Sequence, residues 1–591
     1  MYKPFRAILI IMLIGHLSPA WAAAETLEVK VDGVTGTVLD NVHKLLSIEQ
    51  QKTDPNLFEA RIRRLHRNAV GEIRQALEPF GYYEPVISTE LTQQTTNHWL
   101  ATYHVEPGLP VRVTTIDLKL LGEGTHDEQF QNLVIHFPLQ QGDILEHERY
   151  ADGKHSLLVL ATENGYRDAQ LLAHEIRVRP AEHAADIVLH FDTGRRYRFG
   201  KVNFMQSGDS EKPPFDPDFL ARFVSFEEGT PYSTHRLFDL QNALSDSDYF
   251  DTVEMKPRPD QIEYFEIPID IELEPRSKHR YTAGLGYGTD TGVRGSLGWE
   301  NRRVNRSGHR LKAEAKISEV KTNLTAKYRI PTRDPRTDRI EFTSAWLYEN
   351  LRTRQHESET FLLGASHTMH RGSGWLETIY INYQAESFDL GGTNRGNSSL
   401  LLPGISWSRV KADNRIYTRN GQRLLVDLKG THPTLGSPVQ VMQLRLQAKW
   451  IRSVQENGRI TLRGDAGLTR IKDLNALPAS LRFFTGGDQS VRGYDYNSLG
   501  PINKSSSVIV GGKQLLVGSA EYEHSWTEKW SSGVFFDMGN AVNDWTQKLK
   551  QGAGVGMRWK SPVGLIRLDV AWALSDPGNP WRFHLVIGPD L

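Results

Sequence analysis

From residue 277 onward the chain alternates between apolar and polar residues. Leu311, Ala313, Ala315 and Ile317 interleave with Lys312, Glu314 and Lys316. Met442, Leu444, Leu446, Ala448 and Trp450 interleave with Gln443, Arg445, Gln447 and Lys449, and Ile566, Leu568, Val570 and Trp572 with Arg567 and Asp569. A period of two sends these sets to opposite faces of a strand. This part of the chain is therefore expected to form a sheet with one apolar and one polar face. Alternation alone leaves two architectures open. A soluble sandwich buries the apolar set against a second sheet, whereas a membrane barrel turns it to lipid and the polar set to a wet lumen.

Three features favour the barrel. Residues 1–22 have the parts of an export signal: Lys3 and Arg6, an apolar stretch from Ala7 to Leu17, and a small-residue site at Ala20-Trp21-Ala22. Of 13 Trp, only Trp21 and Trp99 precede residue 277, and Trp346, Tyr348, Trp375, Trp407, Trp526 and Trp559 are read at strand ends, where aromatic girdles form. No recurrent helical pattern interrupts residues 277–591. About 16 strands, at roughly 20 residues for each strand and its connection, leave room for spanning strands of about 9–11 residues. The even number and the closure both suit a bilayer, where an open sheet edge cannot satisfy its backbone.

Residues 23–276 read differently. FGYYEP (80–85), NGYRDA (164–169) and SDYFDT (247–252) recur at near-equal spacing, each after a helix-like stretch and before strand-like runs. In the first stretch Ile62, Leu65, Val70, Ile73, Leu77 and Phe80 make one apolar helical face. Three α+β modules are expected, at 23–107, 108–192 and 193–276. One larger α+β domain is the other arrangement that fits.

Composition removes several functions. With no cysteine there is neither a disulfide framework nor a thiolate metal site. A formal net charge of -1 gives no bulk attraction to nucleic acid. The 21 His are scattered, with no H-E-x-x-H pair, and no G-x-S-x-G elbow is found. Neither catalysis, a cofactor nor a metal site is expected. SDSD (245–248) and DPD (216–218) read as solvated turns.

The candidate site lies in a long connection, roughly residues 473–512, holding FFTGGDQSVRGYDYNSLGP (483–501). Such a length without strands marks a functional loop. At its centre stand Val491, Arg492, Gly493 and Tyr494. Here the chain resembles the polypeptide-transporting outer-membrane barrels, the superfamily of the barrel assembly insertase and the two-partner secretion pores. The resemblance implies a loop folded back into the barrel, its arginine paired with inward acidic groups. The matching positions are Glu521 in GSAEYE (518–523) and Asp537 in FFDMGN (535–540), both on the polar side of their alternation.

The resemblance also implies a fold of three α+β POTRA repeats followed by a transmembrane antiparallel β-barrel of about 16 strands. The module count most resembles the outer-membrane subunit of the translocation and assembly module. That likeness implies assembly of autotransporters and other β-barrel proteins in the outer membrane of a Gram-negative bacterium, with the POTRA modules in the periplasm. The implied partners are an inner-membrane-anchored, periplasm-spanning TamB-like protein, nascent barrel substrates and the lipid bilayer. A two-partner-secretion pore and a barrel serving phospholipid transport are the alternatives.

A lateral seam is expected where the first and last strands meet. The first, Tyr281 to Tyr287, is followed by Gly288 and includes Gly284 and Gly286; the last carries Phe583, Leu585 and Ile587 before Gly588 and Pro589 interrupt it. Glycine weakens a strand and proline donates no ladder hydrogen bond, so both partners should pair poorly.

Overall fold

The computed structural model describes residues 25–206, 215–351, 356–391, 394–414, 417–503, 507–561 and 564–587. The export segment 1–22, Gly588 and Pro589 lie outside the described residues.

The first module runs β1 (Thr26–Asp32), α1 (Gly36–Leu45), α2 (Ser47–Gln50), α3 (Glu59–Leu77), β2 (Val86–Thr95) and β3 (His98–Glu106). The second runs β4 (Arg112–Leu121), α4 (Glu128–Ile135), α5 (His147–Glu163), β5 (Gln170–Arg179) and β6 (Ala184–Asp192). The third runs β7 (Arg198–Gln206), α6 (Pro217–Ala221), α7 (Thr234–Ser245), β8 (Phe250–Pro257) and β9 (Glu266–Pro275). Each makes a three-stranded sheet with its last strand in the middle, in the orders β1-β3-β2, β4-β6-β5 and β7-β9-β8. The central strands carry the core: Trp99, Ala101, Tyr103 and Val105 in β3 are buried, as are Ala185, Ile187, Leu189 and Phe191 in β6. On α3 the buried face is Ile62, Leu65, Ala69, Ile73, Ala76 and Leu77, so Ala69 takes the place expected for Val70.

The recurring motif is a helix stop. Gly81, Gly165 and Asp248 hold equivalent places, and all three have positive φ: 86°, 83° and 63°. The left-handed conformation ends a helix and suits glycine, with aspartate among the residues that tolerate it. The aromatic that follows turns into the core. Tyr166 meets Phe130 edge-on at 5.3 Å, and Tyr249 meets Phe215 and Phe219 edge-on at 5.2 Å.

Two compact units emerge, and their division passes through the third module. Residues 201–227 and 238–258 group with 268–591, and residues 228–237 and 259–267 with 1–200.

Sixteen antiparallel strands close the barrel. They begin with β10 (His279–Gly288), β11 (Gly292–Asn301), β12 (Arg310–Ser318), β13 (Lys321–Pro331), β14 (Arg339–Leu351) and β15 (His356–Arg371). They continue with β16 (Trp375–Leu390), β17 (Asn394–Ala412), β18 (Gly421–Thr431), β19 (Val441–Val454) and β20 (Gly458–Ile471). After a long loop come β21 (Gln514–Ser525), β22 (Trp530–Val542), β23 (Lys550–Ser561), β24 (Gly564–Ala573) and β25 (Trp581–Ile587). The apolar set faces out: Leu297, Leu324, Phe361, Ile381, Leu446, Val534 and Leu568 are all exposed. Among the described residues no helix is long and apolar enough to cross a membrane. Trp375, Tyr348 and Trp559 lie close to strand ends and Trp526 just beyond one, whereas Trp346 and Trp407 sit further inside β14 and β17.

The turns expected to be solvated are so only in part: Pro217, Asp218, Ser245 and Asp246 are exposed, whereas Ser247 is buried and Asp248 is held in ion pairs. Asp248 takes arginines from both sides of the module–barrel boundary: Arg276 at 2.6 Å and Arg302 at 3.0 Å. Arg310 donates to the Ser247 carbonyl and lies 3.8 Å from the centre of the Tyr249 ring. The Tyr249 hydroxyl donates to the Gly308 carbonyl at 2.6 Å, and Asp216 accepts from Ser307 at 3.0 Å. Spacing could not show this, because the arginines sit some 30 to 60 residues along the chain: Arg276 between β9 and β10, Arg302 just after β11 and Arg310 at the start of β12. Burial pushes the Asp248 carboxyl up, but hydrogen bonds and charge from Arg302, Arg276 and Arg310 outweigh it and hold it below the usual aspartate value. A depressed folded value means the tie contributes fully at neutral pH. It is lost only as the pH falls below the unfolded value of about 3.9.

Replacing Arg310 by methionine leaves the Ser247 carbonyl without this donor and removes one charge facing Asp248. Urea unfolding of the full chain in detergent should show a loss of about 1–3 kcal/mol. The same change at exposed Arg306 should cost less than about 1 kcal/mol. Equal losses at the two positions would show that this contact has no special weight.

Candidate functional site

The loop between β20 and β21 folds back on the inner wall. Isolated bridges pair Phe483 with Gly512, Thr485 with Leu499 and Ile502 with Ile509. Its apolar side chains Phe483, Val491, Tyr494 and Leu499 form one buried cluster with Leu515, Val517, Ala541 and Ala573 of the strands. The Tyr494 hydroxyl donates to the Gln551 carbonyl at 3.2 Å.

Arg492 is buried at the centre of this contact. Its Nε donates to Asp537 at 2.7 Å and a terminal nitrogen to the other Asp537 oxygen at 3.0 Å, a two-pronged grip. The other terminal nitrogen reaches Glu521 at 2.8 Å and Asp569 at 3.1 Å. Its backbone N–H also donates to Asp537 at 3.0 Å. The guanidinium carbon lies 3.4 Å from the centre of the Phe535 ring, which covers the face left free by the planar fork. Alternation on β21, β22 and β24 aims one acid from each strand at the same point.

Sequence reasoning named Arg492, Glu521 and Asp537, and the structure brings these three together. It did not assign Asp569 or Arg558. Arg558 is fully buried on β23, donates to Glu521 at 2.7 Å and pairs with Asp569. Both were on the polar side of their strands, so face was readable; which inward residues share one height on the wall depends on strand stagger.

Glycine at 493 is required by space and by backbone. Its φ is 94°, and a Cβ there would stand 2.9 Å from the Ala573 nitrogen and the Trp572 carbonyl carbon. Across the contact, a Cβ on Gly552 would lie 2.0 Å from the Arg492 carbonyl oxygen. The Gly493 N–H donates to His584 Nε2 at 2.9 Å, which ties the motif to the last strand. Between loop and wall lies a cavity of about 460 Å³, lined by Arg294, Arg423, Arg445, Arg463 and Asp465 among others.

The expected seam residues all fall on β10 and β25, Gly588 excepted, which is outside the described residues. Tyr281 and Phe583 are exposed on the outer face, with Leu585 and Ile587 on the same side of the alternation; Gly284, Gly286 and Gly288 take the inner face of β10. β10 runs beside β11 from His279 opposite Asn301 to Gly288 opposite Gly292, and β24 beside β25 from Ile566 opposite Ile587 to Trp572 opposite Trp581. Between β10 and β25, among the described residues, the ladder holds only Gly288 opposite Val586. Continued in that register it would next reach Ile587, Gly588 and Pro589.

Arg492→Ala leaves Glu521 and Asp569 to Arg558 and strips Asp537 of its two-pronged partner in a shielded contact. The folded barrel should lose about 3–5 kcal/mol, read as a lower temperature at which its compact band on semi-native gels shifts. Arg492→Lys should recover only part, because a point charge cannot grip two oxygens of Asp537 at once. A lysine variant equal to the native chain would show that charge alone suffices.

Comparison with known proteins agrees with this geometry. Residues 279–590 match the Omp85 superfamily domain, and residues 28–107 match the POTRA domain described as TamA domain 1. The outer membrane protein assembly factor BamA of Neisseria meningitidis serogroup B is 21% identical over 469 residues, 68% of this chain and 58% of that protein. BamA of Nitratidesulfovibrio vulgaris is 33% identical over 117 residues, 18% of this chain and 14% of that protein. The chain thus spans between 14% and 58% of the length of these relatives. The crystal structure of BamA from Haemophilus ducreyi lacking POTRA domains 1–3 shares the fold, with a TM-score of 0.67 at 16% identity, covering 81% of this chain and 99% of that one. Since the superfamily match takes in the barrel from its first strand to its last, with the folded-back loop inside it, the chain belongs to the Omp85 superfamily and carries a first module of the TamA POTRA type.

Proposed function

We propose that this protein is a non-enzymatic assembly factor of the Gram-negative outer membrane that helps β-barrel proteins, autotransporters among them, to insert through its lateral seam. The observation that carries the reading is that, among the described residues, the ladder between β10 and β25 holds a single pair. Strand edges are templates for another chain's backbone. A substrate strand added at this edge would keep its N–H and C=O groups paired while its apolar side chains pass into lipid. Folding and insertion of the substrate would supply the driving force. The alternating faces of the substrate strand would meet the same division between lumen and lipid that β10 and β25 already have. In this reading the POTRA modules lie in the periplasm, and an inner-membrane-anchored, periplasm-spanning partner of the TamB kind docks on the first of them.

The chain has no cysteine, so an introduced pair is its sole pair of thiols. Tyr287→Cys with Ile587→Cys places them next to the Gly288–Val586 pair. Oxidation should stop assembly of an autotransporter barrel into vesicles holding the full chain, and reduction should restore it. Assembly at full rate with the bond closed would refute the seam as the route. A secreted substrate appearing outside the bilayer instead of within it would point to a pore. Purification of the full chain from membranes should bring the long periplasmic partner with it, and loss of residues 23–107 should release that partner.

A further inference from the structure

We propose that Asp488 is the latch of the seam: through this loop carboxylate the turn after β10 and the strand β25 are tied together, so that side chains help to hold closed an edge whose described residues pair at one position only. The inference rests on the lateral-seam reading for its purpose, and on geometry alone for its existence.

Asp488 belongs to the same loop as Arg492, four residues earlier, and is bonded on both sides of the seam. On the β10 side its backbone N–H donates to Asp290 Oδ2 at 2.7 Å, and the Thr289 hydroxyl donates to its carboxylate at 3.3 Å. On the β25 side its carboxylate takes the Nδ1 hydrogen bond of His584, which is buried. The Thr289 oxygen also accepts the backbone N–H of Leu585 at 3.2 Å, so one hydroxyl bridges carboxylate and last strand.

The loop can come this close because of Gly487. Its φ is 102°, and a Cβ there would fall 2.4 Å from Asp290 Oδ2. The glycine pair before Asp488 is thus a fitting for the β10 turn.

His584 gives the latch its second end. Its Nε2 accepts the Gly493 N–H at 2.9 Å. A neutral imidazole that accepts at one nitrogen carries its proton on the other. Nδ1 is therefore a donor to Asp488. The oxygens of Asp290 and Asp488 and a His584 nitrogen lie within 4.8 Å of one another, a spacing that a metal ion also uses. The tautomer fixed by Gly493 leaves Nδ1 no lone pair for a cation, so the three groups form a hydrogen-bonded chain. That chain runs from the β10 turn through Asp488 and His584 to Gly493, beside Arg492. Loop and seam are held by one continuous set of bonds, so a displacement of the loop loosens the edge.

The test reads the seam without a substrate. In full chain reconstituted in phosphatidylcholine vesicles, amide exchange is followed at Leu585, whose N–H is held by Thr289, and at Gly493, held by His584. Asp488→Asn should speed both about tenfold, the effect of weakening a charge-assisted hydrogen bond. Gly487→Ala, which moves the loop off Asp290 and changes no charge, should act in the same direction and keeps the test alive if the first variant does not fold. Asp495→Asn, on the same loop and paired with Arg582 at a more exposed position, should change little. Unchanged exchange in both folded latch variants would overturn the proposal. So would native chain whose exchange rises to the same extent on adding EDTA, which would make the cluster a metal clamp. Faster exchange with assembly unaffected would uphold the latch and count against the seam as the substrate route.

Discussion

Inside this barrel one guanidinium must satisfy three carboxylates that arrive from three different strands. Arg492 does so because its planar fork can give two hydrogen bonds to Asp537 and still reach Glu521 and Asp569. A second arginine, Arg558, bridges Glu521 to Asp569 from the wall side. Neither set of charges is tolerable alone in a shielded interior. Once they meet, the loop has no freedom to leave the wall without uncovering them. Its backbone then lies within van der Waals reach of β23 and β24, where glycines at 493 and 552 make the approach possible. Everything the loop touches next, including His584 on β25, is placed by that first contact.

The seam is the opposite case. Elsewhere around the barrel each strand has a neighbour along most of its length, and that pairing alone satisfies the backbone. At β10 and β25 the described residues hold a single pair, and short side chains on a turn and a loop add further bonds across the edge. The strongly held loop and the weakly held edge share the segment from Asp488 to Gly493. In the proposed function, a rigid anchor a few residues from a weak edge would let that edge change without the barrel coming apart.

Much of this was legible in the sequence, and for a physical reason. Alternation is a local property of a strand, so it separated the two faces of the sheet, with Leu568 on the apolar side and Glu521 and Asp537 on the polar side; the export segment and the aromatic residues then favoured the barrel over a sandwich. The positive-φ stop at Gly81 and Gly165 is equally local. What was missed is set by register. Asp569 and Arg558 share the height of Arg492 only because of the stagger between β21 and β24, which no single strand encodes. Arg302 and Arg310 find Asp248 for the same reason: the turn after β11 comes back onto the third module, and a motif read as a wet turn becomes an ion-paired one. The aspartate that replaces glycine at this third repeat keeps the left-handed stop and adds a charge, which is used where the module meets the barrel.

An incomplete ladder in lipid has a thermodynamic consequence that bears on the proposed function. Opening the edge onto acyl chains exposes N–H and C=O groups that lipid cannot bond, at several kcal/mol for each. An incoming strand supplies such groups with partners. The penalty for opening therefore depends on what arrives. A loose lipid or a helical segment, whose own backbone is already satisfied, offers nothing to the exposed edge. An extended strand with alternating side chains offers both a matching ladder and a matching division of faces. Under the proposed function, selection of barrel strands as substrates would need no sequence-specific pocket; it would follow from which molecule can bring backbone partners to β10 and β25. The same reasoning explains why a closed resting state need be held only weakly. In the absence of a strand the bilayer itself opposes opening, and the side-chain ties have only to keep the two edges in register until one comes.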